Sequence, residues 1–86
     1  MQFTIKYSTE SIQEIELLPK AIQIRVKRAI EEKLMSDPVS FGKPLRYSLK
    51  GIRSLRVGDY RVLYEIEYDI KLVYIVKVSI RRDVYD

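Results

Sequence analysis

The period of hydrophobic and polar positions changes along this chain, and the changes divide it into elements. From Gln2 to Tyr7 apolar and polar residues alternate, which predicts a short strand with Phe3, Ile5 and Tyr7 on one face. The period then lengthens. Ile12, Ile15 and Leu18 recur at helical spacing after Ser8 and Thr9, either of which offers an N-cap oxygen, and Glu10 falls in the first turn. Pro19 ends that helix near Leu17 or Leu18 and suits the first turn of a second one. The second helix is expected to run to about Ser36, with Ile22, Val26, Ala29, Ile30 and Leu34 as one apolar stripe. Lys20, Arg25, Lys27, Arg28, Glu31 and Glu32 occupy much of its remaining surface. Asp37-Pro38 stops it, because a residue before proline avoids the α region.

Between Pro38 and Lys50 neither period holds. Gly42, Pro44 and Gly51 mark an ordered loop whose expected core anchors are Phe41, Leu45 and Leu49. Strand alternation then returns over Ile52–Val57, Asp59–Glu67 and Ile70–Ser79, with turns at Gly58-Asp59 and Tyr68-Asp69. On the middle strand Tyr60, Val62, Tyr64 and Ile66 share one face, and Arg61, Leu63, Glu65 and Glu67 the other. On the last strand Ile70, Leu72, Tyr74, Val76 and Val78 are expected against the helices, with Lys71, Lys77, Ser79 and Arg81 pointing away. Glu65 and Glu67 are then expected to pair across strands with Lys71 or Lys77. The order β-α-α-β-β-β predicts one α+β domain over residues 1–86, a two-helix hairpin packed on one face of a twisted, mainly antiparallel four-stranded sheet.

Composition removes most chemistries. The chain has no His and no Cys, so Ser-His triads, cysteine nucleophiles and ordinary zinc sites are excluded. Its three glycines stand alone and form no phosphate loop, and no metal or other cofactor is implied. Any catalysis falls to Lys, Arg, Tyr, Ser or carboxylates. The longest apolar run, Leu72–Val76, is too short to cross a bilayer, and MQFTIKYSTE shows neither a basic n-region nor a long apolar h-region. The expectation is a cytoplasmic protein that does not engage membranes.

Charge adds a location. Residues 1–42 carry six basic and six acidic side chains, and residues 62–86 carry four and five. Residues 43–61 carry six basic residues (Lys43, Arg46, Lys50, Arg53, Arg56, Arg61) against the single acid Asp59, so the whole net charge of +4 originates there. Two readings are open: a solvated sheet face with a guarded edge, or a surface that holds phosphates. By parity Arg61 and Arg81 project from the same face of neighbouring strands.

The linker DPVSFGKPL, the strand pair RVGDYRVLYEI and the ending SIRRDVYD, in this element order, resemble the RelE/ParE toxin superfamily over nearly the whole chain. The likeness is nearer to its RelE branch, whose members cleave messenger RNA in the ribosomal A site and are neutralised by a cognate antitoxin. Members of the ParE branch act on DNA gyrase. The resemblance implies catalytic roles for Arg61 and Arg81, which would stabilise a phosphorane, and for Tyr85, which would stack on a base or orient the 2′-hydroxyl. Arg56 aligns with a basic residue of the family, and Lys50 and Arg53 stand close enough to compensate for missing lysines, Arg53 only if a bulge reverses its facing. Lys43 and Arg46 join these as expected RNA-binding residues through the charge of the 43–61 stretch. Ile52 and Ser54 stand where well-known ribonuclease members carry lysines. The implied partners are an antitoxin, the ribosome with its messenger (or gyrase), and operator DNA only through the antitoxin complex. Three functions remain open: a ribosome-dependent mRNA endoribonuclease, a gyrase inhibitor, or a catalytically weakened member that binds only antitoxin and operator.

Overall fold

The computed structural model describes residues 2–46 and 51–80. The chain runs β1 (Thr4–Tyr7), α1 (Thr9–Glu16), α2 (Lys20–Ala29) continuing into a π-helical stretch (Ile30–Leu34), α3 (Pro38–Phe41), β2 (Lys43–Pro44), β3 (Arg53–Val57), β4 (Tyr60–Glu67) and β5 (Leu72–Ile80). The strands form one five-stranded sheet in the order β1-β5-β4-β3-β2, in which β1 lies parallel to β5 and the other neighbours are antiparallel. The expected four strands are thus joined by a fifth of two residues. It ends in Pro44, which cannot donate to a ladder and sits at a sheet edge, where proline is tolerated.

Local chemistry sets the helix ends. Ser8 is the N-cap of α1: its Oγ accepts from Ser11 N (3.0 Å) and donates to Val76 O (2.8 Å), tying the helix start to β5. Asp37 accepts from Ser40 N at 3.1 Å, and hydrogen bonding from the Ser40 side chain, then from this backbone N–H, holds its carboxyl below the usual carboxylate range. With Pro38 in the first turn, Asp37-Pro38 therefore ends one helix and caps the next.

The apolar stripe of α2 behaves as its spacing requires. Val26, Ile30 and Leu34 are fully buried against Leu55, Val57, Val62, Tyr64, Val73, Ile75 and Val78, with Ile22 and Ala29 at the margin. In α1 the inward positions are Ser11 and Ile15, whereas Ile12 is 45% exposed. Ser11 is affordable inside because its Oγ donates to Ser8 O at 2.9 Å. Phe41, an expected anchor, is also outside at 49% exposure, beneath the Lys33 ammonium; Pro38 is buried in its place. Leu49 lies outside the described residues.

The last strand corrects the alternation argument. Tyr64 pairs with Ile75 but Leu63 pairs with Lys77, so Val76 is an extra residue, a β-bulge. Before the bulge the odd positions Val73 and Ile75 face the helices; after it the even position Val78 does. Leu72 and Tyr74 accordingly lie opposite Glu67 and Glu65 on the other face, and those carboxylates do not meet Lys71 or Lys77. Lys71 instead sits over the Phe3 ring and Lys77 bonds Glu10 and Glu14. Ile70 belongs to a turn with Tyr68 to Lys71, not to the strand, and is 68% exposed. No described helix is long and apolar enough to cross a membrane.

Candidate functional site

The β3–β4 hairpin is turned by Gly58, whose φ of +60° falls at the first central position of a two-residue loop, where glycine is favoured. That turn fixes the register, and the register fixes the faces. Arg53, Leu55 and Val57 are set opposite Tyr64, Val62 and Tyr60 on the helix side. Ser54 and Arg56 are set opposite Leu63 and Arg61 on the open side.

Two cross-strand rows emerge on the open face. One contains Lys43, Ser54, Leu63 and Lys77, and the next contains Arg56, Arg61 and Ser79. Two arginines directly opposite each other oppose association of the strands unless negative charge lies nearby. Arg56 is exposed and Arg61 only 6% exposed, so one guanidinium is displayed and the other held. Ser79 Oγ is buried beside this row with no partner among the described residues. Toward the other end of the face lie Glu65 and Glu67 with Tyr74 and Leu72, and Lys6 stands beside Tyr74, so the arginines of this face, among the described residues, are confined to the Gly58 end.

Of the expected site residues, Lys43, Arg56 and Arg61 are brought together on this face. Arg46 is exposed just after β2. Arg53 is not among them: the bulge that would reverse it occurs on β5, not β3. Its Nη2 donates to Val39 O (2.7 Å) and Gly42 O (2.9 Å), so it latches the 38–42 segment to the sheet. Tyr64 completes that latch, donating from Oη to Pro38 O at 2.6 Å; burial raises its pKa above the ordinary 10.0. Lys50, Arg81 and Tyr85 lie outside the described residues.

Lys77 shares the first row but is committed elsewhere. Glu14 accepts from Lys77 Nζ (2.7 Å) through one oxygen and from Val78 N (2.7 Å) through the other. Its bond to Glu14, and then that to Glu10, raises the Lys77 pKa. Lys43 is therefore the lysine left beside the arginine row among the described residues, and it stands directly opposite Ser54, whereas Lys6 shares the open face next to Tyr74, across β5 and β4 from that row. Sequence reasoning had placed Lys43 in the patch on charge alone. Its position beside Ser54 required the two-residue strand that no periodicity announces.

A cation that the charge pattern leaves outside the patch, and that the structure brings to its edge, is Arg25. An atom added at Gly58 Cβ would lie 2.9 Å from Arg25 Nη1 and 3.1 Å from Cζ, so the α2 guanidinium rests against the hairpin turn. Its solvated-helix pattern gave no signal for this contact.

The model of the family described as ParE toxin of type II toxin–antitoxin system, parDE, matches residues 5–85. Toxin RelG of Mycobacterium tuberculosis is 35% identical over 99% of this chain and 98% of its own length. Toxin RelE of the same organism is 30% identical over 90% of this chain and 82% of its own. Among solved structures, the M. tuberculosis toxin–antitoxin complex RelBE2 contains a chain that superposes with a TM-score of 0.87 at 33% identity, covering 94% of this chain and 93% of that one. The isolated RelE toxin of E. coli shares the fold at a TM-score of 0.74 and 18% identity, over 91% of this chain and 83% of that one. With a family model matched from residue 5 to 85 and relatives alike over most of their length, the chain belongs to the RelE/ParE superfamily of type II toxin–antitoxin toxins.

Proposed function

We propose that this toxin cleaves messenger RNA on the ribosome, using the Lys43–Arg56–Arg61 face, and that a cognate antitoxin restrains it. The observation that carries the reading is the pair of cross-strand rows, which gathers three cations on one open face while the neighbouring lysine is consumed by carboxylates. Attack of a 2′-hydroxyl on its phosphate builds charge on the equatorial oxygens, which positioned guanidinium groups stabilise. Arg61, held at 6% exposure, fits that role, and displayed Arg56 fits a contact to a flanking phosphate. Arginine does not deprotonate in proteins, so neither is a base. Lys43 supplies an ammonium beside Ser54, one of the positions where a lysine was expected.

The antitoxin reading draws support from the M. tuberculosis RelBE2 complex, in which a chain 33% identical to this one is bound to its antitoxin. The α1–α2 hairpin offers a groove of about 290 Å³ lined by Tyr7, Ile12, Ile15 and Gln23, suited to an amphipathic segment. The test is induction in growing cells with primer-extension mapping of messengers. Arg61→Ala should abolish the cleavage ends and relieve arrest while melting like the parent. Persistent arrest and cleavage with Arg61→Ala would reject this site.

A second reading has one finding in its favour: the matching family model is that of ParE toxins, and Ile52 and Ser54 lack the ribonuclease lysines. In that case purified gyrase would lose supercoiling activity and no messenger ends would appear.

A further inference from the structure

The cationic surface does not stop at the hairpin edge. Behind the Gly58–Asp59 turn, between α2 and the start of that turn, lies a cleft of about 340 Å³ lined by Arg25, Arg28, Lys33, Arg56, Gly58 and Glu32 among others. Four cations face one carboxylate there. Among the described residues, the side chains of Arg25, Arg28 and Arg56 make no hydrogen bond or ion pair, and Glu32 engages none of them as an ion pair. Lys33 is occupied by the Phe41 ring. Three arginines bordering one concave surface, their side chains without partners among the described residues, form a site for an anion, and their planar forks suit phosphate.

We infer that this cleft holds a backbone phosphate of the same RNA strand that occupies the open face. The inference rests on the RNA reading given above and extends its path. Continuity favours RNA over an acidic peptide: Arg56 lines the cleft and is also the cross-strand neighbour of Arg61, so one residue borders both surfaces. A strand crossing the Gly58 edge passes from Arg61 to Arg56 to Arg25 without leaving positive charge. Gly58 serves that passage twice, because its bare Cα clears the turn and leaves Arg25 room to lie against it. The contact is with phosphate, so it adds affinity without base preference.

The test compares the parent, Arg61→Ala, and Arg25→Gln with Arg28→Gln, binding a fluorescein-labelled single-stranded RNA by anisotropy over a range of salt. Arg25 and Arg28 are exposed and bury no core surface, and thermal melting checks that the double variant folds. The double variant should bind roughly 3–10-fold more weakly, with the slope of log affinity against log salt shallower by about 0.7 for one lost phosphate contact. If Arg61→Ala weakens binding while the double variant matches the parent in affinity and slope, the cleft assignment is wrong and the open-face reading survives. If neither variant differs from the parent, both fall together. A polyglutamate peptide serves as the competing probe: loss of its binding with RNA binding intact would assign the cleft to a protein partner and overturn the inference.

Discussion

Gly42→Ala should destabilise this protein, because Gly42 is buried against Tyr64. The backbone at Gly42 has φ −103° and ψ 172°, an extended conformation open to any residue, so no conformational penalty attaches to a side chain there. The obstacle is Tyr64. A methyl group at Gly42 would lie 1.8 Å from Tyr64 Oη, 2.7 Å from Cζ and 2.9 Å from Cε1. Neither side can yield cheaply. Tyr64 is fully buried with its hydroxyl bonded to Pro38 O, while Gly42 O accepts from Arg53 and the next residue pairs with Ser54. Forcing the groups apart combines overpacking, about 1–3 kcal/mol, with loss of the buried hydroxyl–carbonyl bond, about 1–3 kcal/mol more. A total of about 2–6 kcal/mol is a large share of the roughly 4–13 kcal/mol expected for a domain of 86 residues. Urea denaturation followed by circular dichroism measures the loss, and the melting temperature should drop by about 10 °C or more. Tyr64→Phe removes the nearest clashing atom, so the double variant should be more stable than the two separate losses predict. A cost below about 0.5 kcal/mol for Gly42→Ala, or strict additivity with Tyr64→Phe, would refute the close approach. Because the same segment carries Lys43, the variant should also weaken RNA binding at temperatures where it remains folded.

Further expectations follow from the same contacts. Tyr7 and Tyr64 have pKa values raised above 10.0, each chiefly by burial, so the native state holds their protons where the unfolded chain releases them. Stability from this source is complete below pH 10 and declines as the pH rises beyond it; Tyr64→Phe should make that alkaline decline shallower in urea titrations at several pH values. Glu14→Gln keeps shape but loses the charge that accepts from Lys77 and Val78 N, and should cost about 1–2 kcal/mol in chemical denaturation, whereas Glu10→Gln, on the more exposed partner, should cost less than about 1 kcal/mol. Deleting Val76 should leave the fold intact, because it restores an unbroken ladder in which Val62 still meets Val78 and Arg61 still meets Ser79. Cross-strand nuclear Overhauser contacts between those pairs check this, and their loss would show that the bulge sets the register.

Periodicity alone determined much of this protein. The α2 stripe, the face shared by Val62, Tyr64 and Ile66, the Ser8 cap and the Gly58 turn are local properties, carried by repeat spacing, hydrogen-bonding side chains and backbone freedom within a few residues. The superfamily likeness was also legible, because its motifs are contiguous stretches. Tertiary structure decided what alternation cannot count. One extra residue at Val76 reversed the facing of the rest of β5, since a period of two has no memory across a bulge. Arg53 belongs to a latch rather than to the open face because its guanidinium finds carbonyls brought from 11 and 14 residues away. Lys43 and Arg25 owe their places beside Ser54 and Gly58 to contacts between elements distant in the chain. The sequence supplied the number of cations. Only the packing of α2 and β2 around the β3–β4 hairpin determined which of them share a surface.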